Sequence, residues 1–190
     1  MNVVQLTTLA NAEQWLGFVP GANPAIDAII TRLILAASAF IRRETGRVLA
    51  SVAWTETYNG VGSNRLMLRN QPVTAIMSLQ IGDTVILPAA SPTATGYLFD
   101  DKMIYLNGFL FYRGFQNVQV TYQGGPLPGD DDATLAEDTC IELVAWDFKR
   151  KDRIQVETET LAGQVEHYTI KEVPDEIARK INRLKRVTPI

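Results

Sequence analysis

The stretch "VQVTYQGGPLPGDDD", residues 118–132, runs from alternating apolar positions into three glycines, two prolines and three consecutive aspartates. Strand, glycine turn and helix start is the order found in phosphate-binding loops, where free N–H groups at a helix N-terminus face an anion. Here Pro126 and Pro128 carry no N–H, no Lys-Ser/Thr pair follows, and Asp130, Asp131 and Asp132 put negative charge where the ligand's own would sit. The stretch therefore reads as a connector from a strand into a helix, with acids placed to cap that helix and to complement its dipole. It separates a β region from a helical one, so the fold class follows from what lies on either side.

Upstream, "NPAIDAIITRLILAASAFIRRETGR" reads as a helix over 24–46. Asn23 is its N-cap, Pro24 sits at the first position and Gly46 closes it, with Ile26, Ile29, Ile30, Leu33, Ala37, Phe40 and Ile41 on one face. A shorter helix over 11–17 is expected before it, capped by Asn11 and ended by Gly17. From Ala53 the apolar period changes to two, which predicts a β module over 53–122. Within it, Gly60–Asn64 is expected to close a hairpin, Asn70-Gln71-Pro72 to turn, and Asp100-Asp101 and Asn107-Gly108 to form tight turns. Downstream, helix returns over 133–151, where Ile141, Val144, Ala145 and Phe148 form a stripe widened by Leu143 and Trp146. A hairpin over 155–170 around Ala162-Gly163 and a last helix opened by Pro174 and Asp175 complete the chain. Strands that are not separated by crossover helices predict an α+β fold: a small helical bundle with an inserted antiparallel β meander or barrel-like module and a C-terminal amphipathic helix.

The 190 residues suffice for a real core, and 46% hydrophobic with 21% charged residues is a globular composition. A net charge of −3 gives no overall basic field of the kind that recruits nucleic acid phosphates. The longest apolar region is interrupted by Asp27 and Arg32, which argues against a membrane span. Cys140 and His167 are each the single residue of their type, so an internal disulfide and a cysteine zinc site have no material, and a Ser/His or Cys/His catalytic pair would have to rely on His167 alone. Cys140 reads as a packed residue and His167 as one face of a short strand. Asp130, Asp131 and Asp132 lack the alternating spacing and mid-loop glycine of a calcium loop. No catalytic residue, metal site or cofactor is assigned.

Charge is unevenly distributed. Residues 179–190 hold Arg179, Lys180, Arg183, Lys185 and Arg186 without an acid, and 130–138 hold acids without a base. A solvated helix end accounts for the basic run, since the dipole favours cations there. The sharper reading is a docking helix, with Ile177, Ile181 and Leu184 in a partner's groove and Arg179, Arg183 and Arg186 pairing with its acids.

The succession "AASAFIRRETGR" (36–47), "TETYNG" (55–60), "LMLRNQPVTAI" (66–76), "VQVTYQGG" (118–125), "CIELVAWDFKRK" and "ETLAGQVEHY" before "VPDEIARKINRLKRV" resembles the head-tail connector, or adaptor, proteins of tailed bacteriophages. The match spans nearly the whole chain in order. It departs at 81–116, which is longer than in compact forms of the family. The resemblance implies a structural protein of the virion neck, assembled in the host cytoplasm. It implies a homomeric ring, a dodecamer, beneath the portal protein and joined to tail, stopper or other neck proteins. DNA would pass through the lumen without specific binding, and no membrane or cofactor is implied. On this reading residues 1–173 form the adaptor domain and 174–190 the arm that docks on the portal. Asp130, Asp131 and Asp132 then become subunit-contact or lumen acids. Two other classes stay open: a hydrolase or carbohydrate-processing domain using the acids at 130–138, and a ligand or single-strand-binding module using Phe111, Tyr112, Arg113 and Phe115.

Overall fold

A computed structural model describes residues 4–151, 158–161, 164–167 and 173–185. The chain divides into two compact units, a helical one formed by Met1–Arg47 with Asp131–Ile190 and a β unit, Val48–Asp130. The class is α+β, as the change of apolar period predicts.

In the helical unit, α1 (Leu9–Leu16) starts two residues earlier than expected because Thr8, not Asn11, is its cap: Thr8 Oγ1 accepts from the Asn11 N–H at 3.2 Å. Asn11 instead donates its side-chain amide to Glu137 Oε1 at 2.7 Å. The longer α2 (Pro24–Thr45) is bounded as its sequence predicts, with Asn23 Oδ1 accepting from the Ala25 and Ile26 N–H groups and Gly46 in the left-handed region at φ +65°. Then come α3 (Asp131–Arg150) and α4 (Asp175–Leu184). Ile30, Ile34, Ala37 and Ile41 of α2 meet Ala136, Cys140, Leu143 and Val144 of α3 in the core. By length and composition α2 is apolar enough to cross a membrane, but its buried stripe packs on α3, which is how a core helix passes the same test. The extra apolar width of α3 is explained by contacts with α1, α2 and α4 together. Cys140 is fully buried 3.6 Å from Ser38 Oγ, and burial pushes its thiol up to about 11. The hairpin between α3 and α4 is present as β8 (Thr158–Leu161) paired with β9 (Gln164–His167). Its expected turn residues, Ala162 and Gly163, lie outside the described residues.

Among the described residues one carboxylate is buried inside this unit. Glu13, 1% exposed, accepts from the Gly21 N–H at 3.3 Å. Burial first, and the neighbouring Asp27 next, hold its carboxyl above the ordinary range. The folded chain therefore keeps a proton that the unfolded chain releases, and this group's contribution to stability falls as pH rises from the unfolded to the folded value. Glu13→Gln retains an acceptor for Gly21 and removes that fall. The variant is expected to melt with the parent near about pH 4 and above it toward neutrality. Identical pH slopes in the two melting series contradict this.

In the β unit, β1 (Val52–Gly60) and β7 (Gly114–Gly124) pair antiparallel, and β7 also pairs β3 (Val73–Ile81), which pairs β4 (Thr84–Ile86), for an order β1-β7-β3-β4. A second sheet has the order β2 (Arg65–Met67), β6 (Met103–Asn107), β5 (Gly96–Phe99). Neither a meander nor a closed barrel results. The Gly60–Asn64 segment does not close a β1–β2 hairpin; it crosses from one sheet to the other, with the Gly62 N–H donating to Phe111 O at 2.7 Å. Likewise the chain after Asn107-Gly108 leaves its sheet instead of folding back on it. The Asp100-Asp101 turn does join β5 to β6, because Asp100 Oδ1 accepts from the Lys102 and Met103 N–H groups at 2.8 and 2.7 Å. Those bonds and one from the Tyr105 hydroxyl hold the Asp100 carboxyl below its usual range. The core is built from Tyr58, Leu79, Ile104, Phe111, Val118, Val120 and Tyr122. At the end of β7 a side chain on Gly124 would collide with the Asn70 carbonyl, and Gly125 has φ +109° against Ala50, so Gly124 and Gly125 are both sterically required.

Candidate assembly surfaces

The C-terminal helix is built from two different faces. Ile177, Ile181 and Leu184 recur at four and three, and are 5%, 4% and 0% exposed against α2 and α3. The groove they occupy is the chain's own. Lys180, on the flank, donates to Asp138 Oδ2 at 2.6 Å and Glu142 Oε1 at 2.7 Å, bonds that hold its ammonium above the ordinary range. The opposite face leaves Arg179 and Arg183 exposed; Arg179 donates from Nε to Asp175 O of its own helix at 3.3 Å. Arg186 lies outside the described residues. The six positions read from the sequence as one docking set thus separate into three that fasten the helix, two that face solvent and one not described.

The acids divide in the same way. Asp130 Oδ2 accepts from the Leu127 N–H at 2.8 Å, closing the loop before α3 instead of capping the helix. Asp131 and Asp132 occupy the first turn of α3. Asp132 Oδ2 accepts from Arg47 Nη2 at 2.8 Å, and Arg47 Nη1 donates to Leu184 O at 3.2 Å. One guanidinium therefore ties together the start of α3 and the ends of α2 and α4. Part of the charge separation seen in the sequence is satisfied inside a single subunit through Lys180 and Arg47. Neither residue is distinguishable by sequence from the other cations near it. Among the described residues no group of three or more His, Cys, Asp or Glu side chains is placed to hold a metal ion.

Several large apolar side chains of the β unit are left uncovered. Phe109, Leu110, Tyr112 and Phe115 are 39%, 56%, 50% and 81% exposed, and Val85 and Leu87 are exposed beside β4. Phe111, from the same run, is buried at 1%. A single-strand platform built from "LFYRGF" therefore loses one of its aromatics to the core. The only cue to this surface is the density of aromatics in "FLFYRGF", which alternation alone divides between core and solvent.

The sequence matches the head completion protein family over residues 5–187. The chain belongs to that family. The connector-type resemblance carried by "AASAFIRRETGR", "TETYNG" and the later markers is borne out at this level. Among solved structures, this family member is similar to a chain described as "Neck of empty GTA particle computed with C6 symmetry", with TM-score 0.61 and 19% identity, covering 97% of this chain and 92% of that one. It is also similar to a chain from "Virion of native gene transfer agent (GTA) particle", with TM-score 0.61 and 17% identity, covering 100% and 98%. A third, "Neck of native GTA particle computed with C12 symmetry", gives TM-score 0.57 and 16% identity over 100% and 98%. At these identities the likeness establishes a shared fold. No curated protein is significantly similar to the chain.

Proposed function

We propose that the chain is a non-enzymatic structural subunit of the neck of a tailed phage or phage-like particle. It assembles with copies of itself into a ring, a dodecamer, that joins the portal protein to tail-side neck proteins while DNA passes through the lumen unread. The observation that carries this reading is the match to head completion proteins along almost the entire chain, on a fold shared with neck chains of particles with six- and twelve-fold symmetry. A net charge of −3 suits a channel that must not hold DNA. The half-satisfied acids support a packing role over a hydrolytic one, since Asp130 and Asp132 both have structural partners.

Portal docking falls to the outward face of α4. Arg179 and Arg183, with Arg186 beyond them, meet acidic side chains of the portal, while Ile177, Ile181 and Leu184 hold the helix to α2 and α3. Reversing both exposed charges, Arg179→Glu with Arg183→Glu, is expected to weaken co-sedimentation with purified portal by about tenfold or more. The melting temperature should not change. Undiminished portal binding rejects the docking role of this face; absence of the wild-type chain from virion necks, by labelling and electron microscopy, rejects the neck reading as a whole.

A further inference from the structure

The four-stranded sheet ends on β1, whose nine residues pair with β7 along one side. In an antiparallel ladder every second residue of such a strand turns its N–H and C=O outward, and among the described residues no other backbone group meets those of Val52–Tyr58. Native folds blunt an open edge with brevity, lysine, proline, a bulge or an inward charge. β1 has no Lys, Arg or Pro, and its irregularity falls at its far end, between Tyr58 and Gly60. Its one charge, Glu56, is held inside the unit, where the Tyr58 and Tyr122 hydroxyls and the Asn70 side-chain amide donate to it. Ala53, Thr55 and Thr57 are exposed and uncharged. A long edge of this kind is a template for another strand.

A strand that matches it must be of similar length and open on one side. Among the described strands β2 and β4 have three residues, β5, β8 and β9 have four, and β3, β6 and β7 are paired on both sides. That leaves β1 of a second copy. An antiparallel pair about a two-fold axis at Thr55 sets Thr55 opposite Thr55, Ala53 opposite Thr57, Trp54 opposite Glu56 and Val52 opposite Tyr58, so exposed positions meet exposed ones and inward positions meet inward ones. An axis at Glu56 opposes two carboxylates and is disfavoured. The neighbouring cations fit the Thr55 register. Arg69, 5.0 Å over the Tyr58 ring, stands about 20 Å along the strands from its counterpart, beyond the screening length at physiological salt. Arg113, over Gly62, and Arg65 on β2 belong to the chain past the paired residues.

We propose that two free copies of the chain pair through β1 about this axis, joining their four-stranded sheets into one continuous sheet. This goes beyond the neck reading. A two-fold pair closes on itself with two members, whereas the subunits of a ring all point the same way around its axis. The pair is therefore the form of the chain before assembly, with its open edge covered, and it separates when the chain joins the neck.

Sedimentation velocity of the full chain over a concentration series tests this, using wild type, Thr55→Lys and Thr55→Glu. Wild type is expected to show a two-subunit species. Each variant alone opposes like charges at the axis and is expected to raise the dissociation constant about tenfold or more, while an equimolar mixture of the two opposes unlike charges and is expected to restore the pair. A wild-type chain with no two-subunit species at any concentration, variants that pair as wild type does, or a mixture no tighter than its components overturns the β1 pairing. Each of these results leaves the neck reading standing, since that reading fails on the absence of the chain from virion necks.

Discussion

Ile181→Ala is expected to lower the stability of the helical unit by about 2–5 kcal/mol, the cost of removing a fully buried branched side chain together with the cavity it leaves. Ile181 is 4% exposed, and Leu184 next to it is not exposed at all, so neither site can relax toward solvent. Arg183→Ala, one turn face away, should fall within about 0.5 kcal/mol of the parent, as exposed substitutions do. Denaturant titration followed by amide exchange in α3 separates the two, because α4 lies against α3 and its loosening unprotects that helix. If instead Ile181→Ala leaves the transition unchanged and abolishes portal binding, the apolar stripe is a detached arm in solution and its own bundle is not its resting place. Deleting everything after Val173 cannot make this distinction, since it strips three core residues along with the arginines.

Glu56→Ala is expected to cost the β unit about 2–3 kcal/mol, by leaving several donors without an acceptor. The Glu56 carboxylate accepts from the hydroxyls of Tyr58 and Tyr122 and from Asn70 Nδ2, the last at 3.2 Å. Each phenol in turn accepts from the chain: Tyr58 from the Arg69 N–H at 3.2 Å and Tyr122 from the Asn70 N–H at 3.1 Å. Burial, with Glu56 as a further cause, holds both phenols above their usual range, so they remain donors at any ordinary pH. The network fixes the 69–70 segment onto the face of β1 and β7. Tyr122→Phe should give a smaller loss, and a double variant with Glu56→Ala should fall short of the sum, because the two share bonds. Additive losses in that cycle indicate separate contributions and no network.

Local chemistry was legible and long-range pairing was not. Asn23, Pro24 and Gly46 mark the ends of α2 through bonds made within a turn of each residue, so the sequence carries them openly. Asp100-Asp101 marks its turn for the same reason. The partner of β1 lies about fifty residues or more away in β7, and nothing in "TETYNG" distinguishes β7 from the nearer β2; the choice is made by matching buried faces across the whole unit. Asn11 is the better cap by residue type and Thr8 an acceptable one, and the contact of Asn11 with Glu137 on α3 tips the choice to Thr8. The α4 stripe was recognised as amphipathic, yet periodicity reports only that a face is apolar. Whether it meets the chain's own core or a neighbour's depends on α2 and α3, and on Lys180 reaching Asp138 and Glu142.

The polypeptide leaves the bundle after Arg47 and re-enters it at Asp131, and the 2.8 Å bond from Arg47 to Asp132 pins those two doorways side by side. Excising everything between them and splicing in a short turn would leave the bundle's threading unaltered. The same proximity makes the intervening segment a graftable cassette, free to gain or lose length in descent while the scaffold that carries it stays the same.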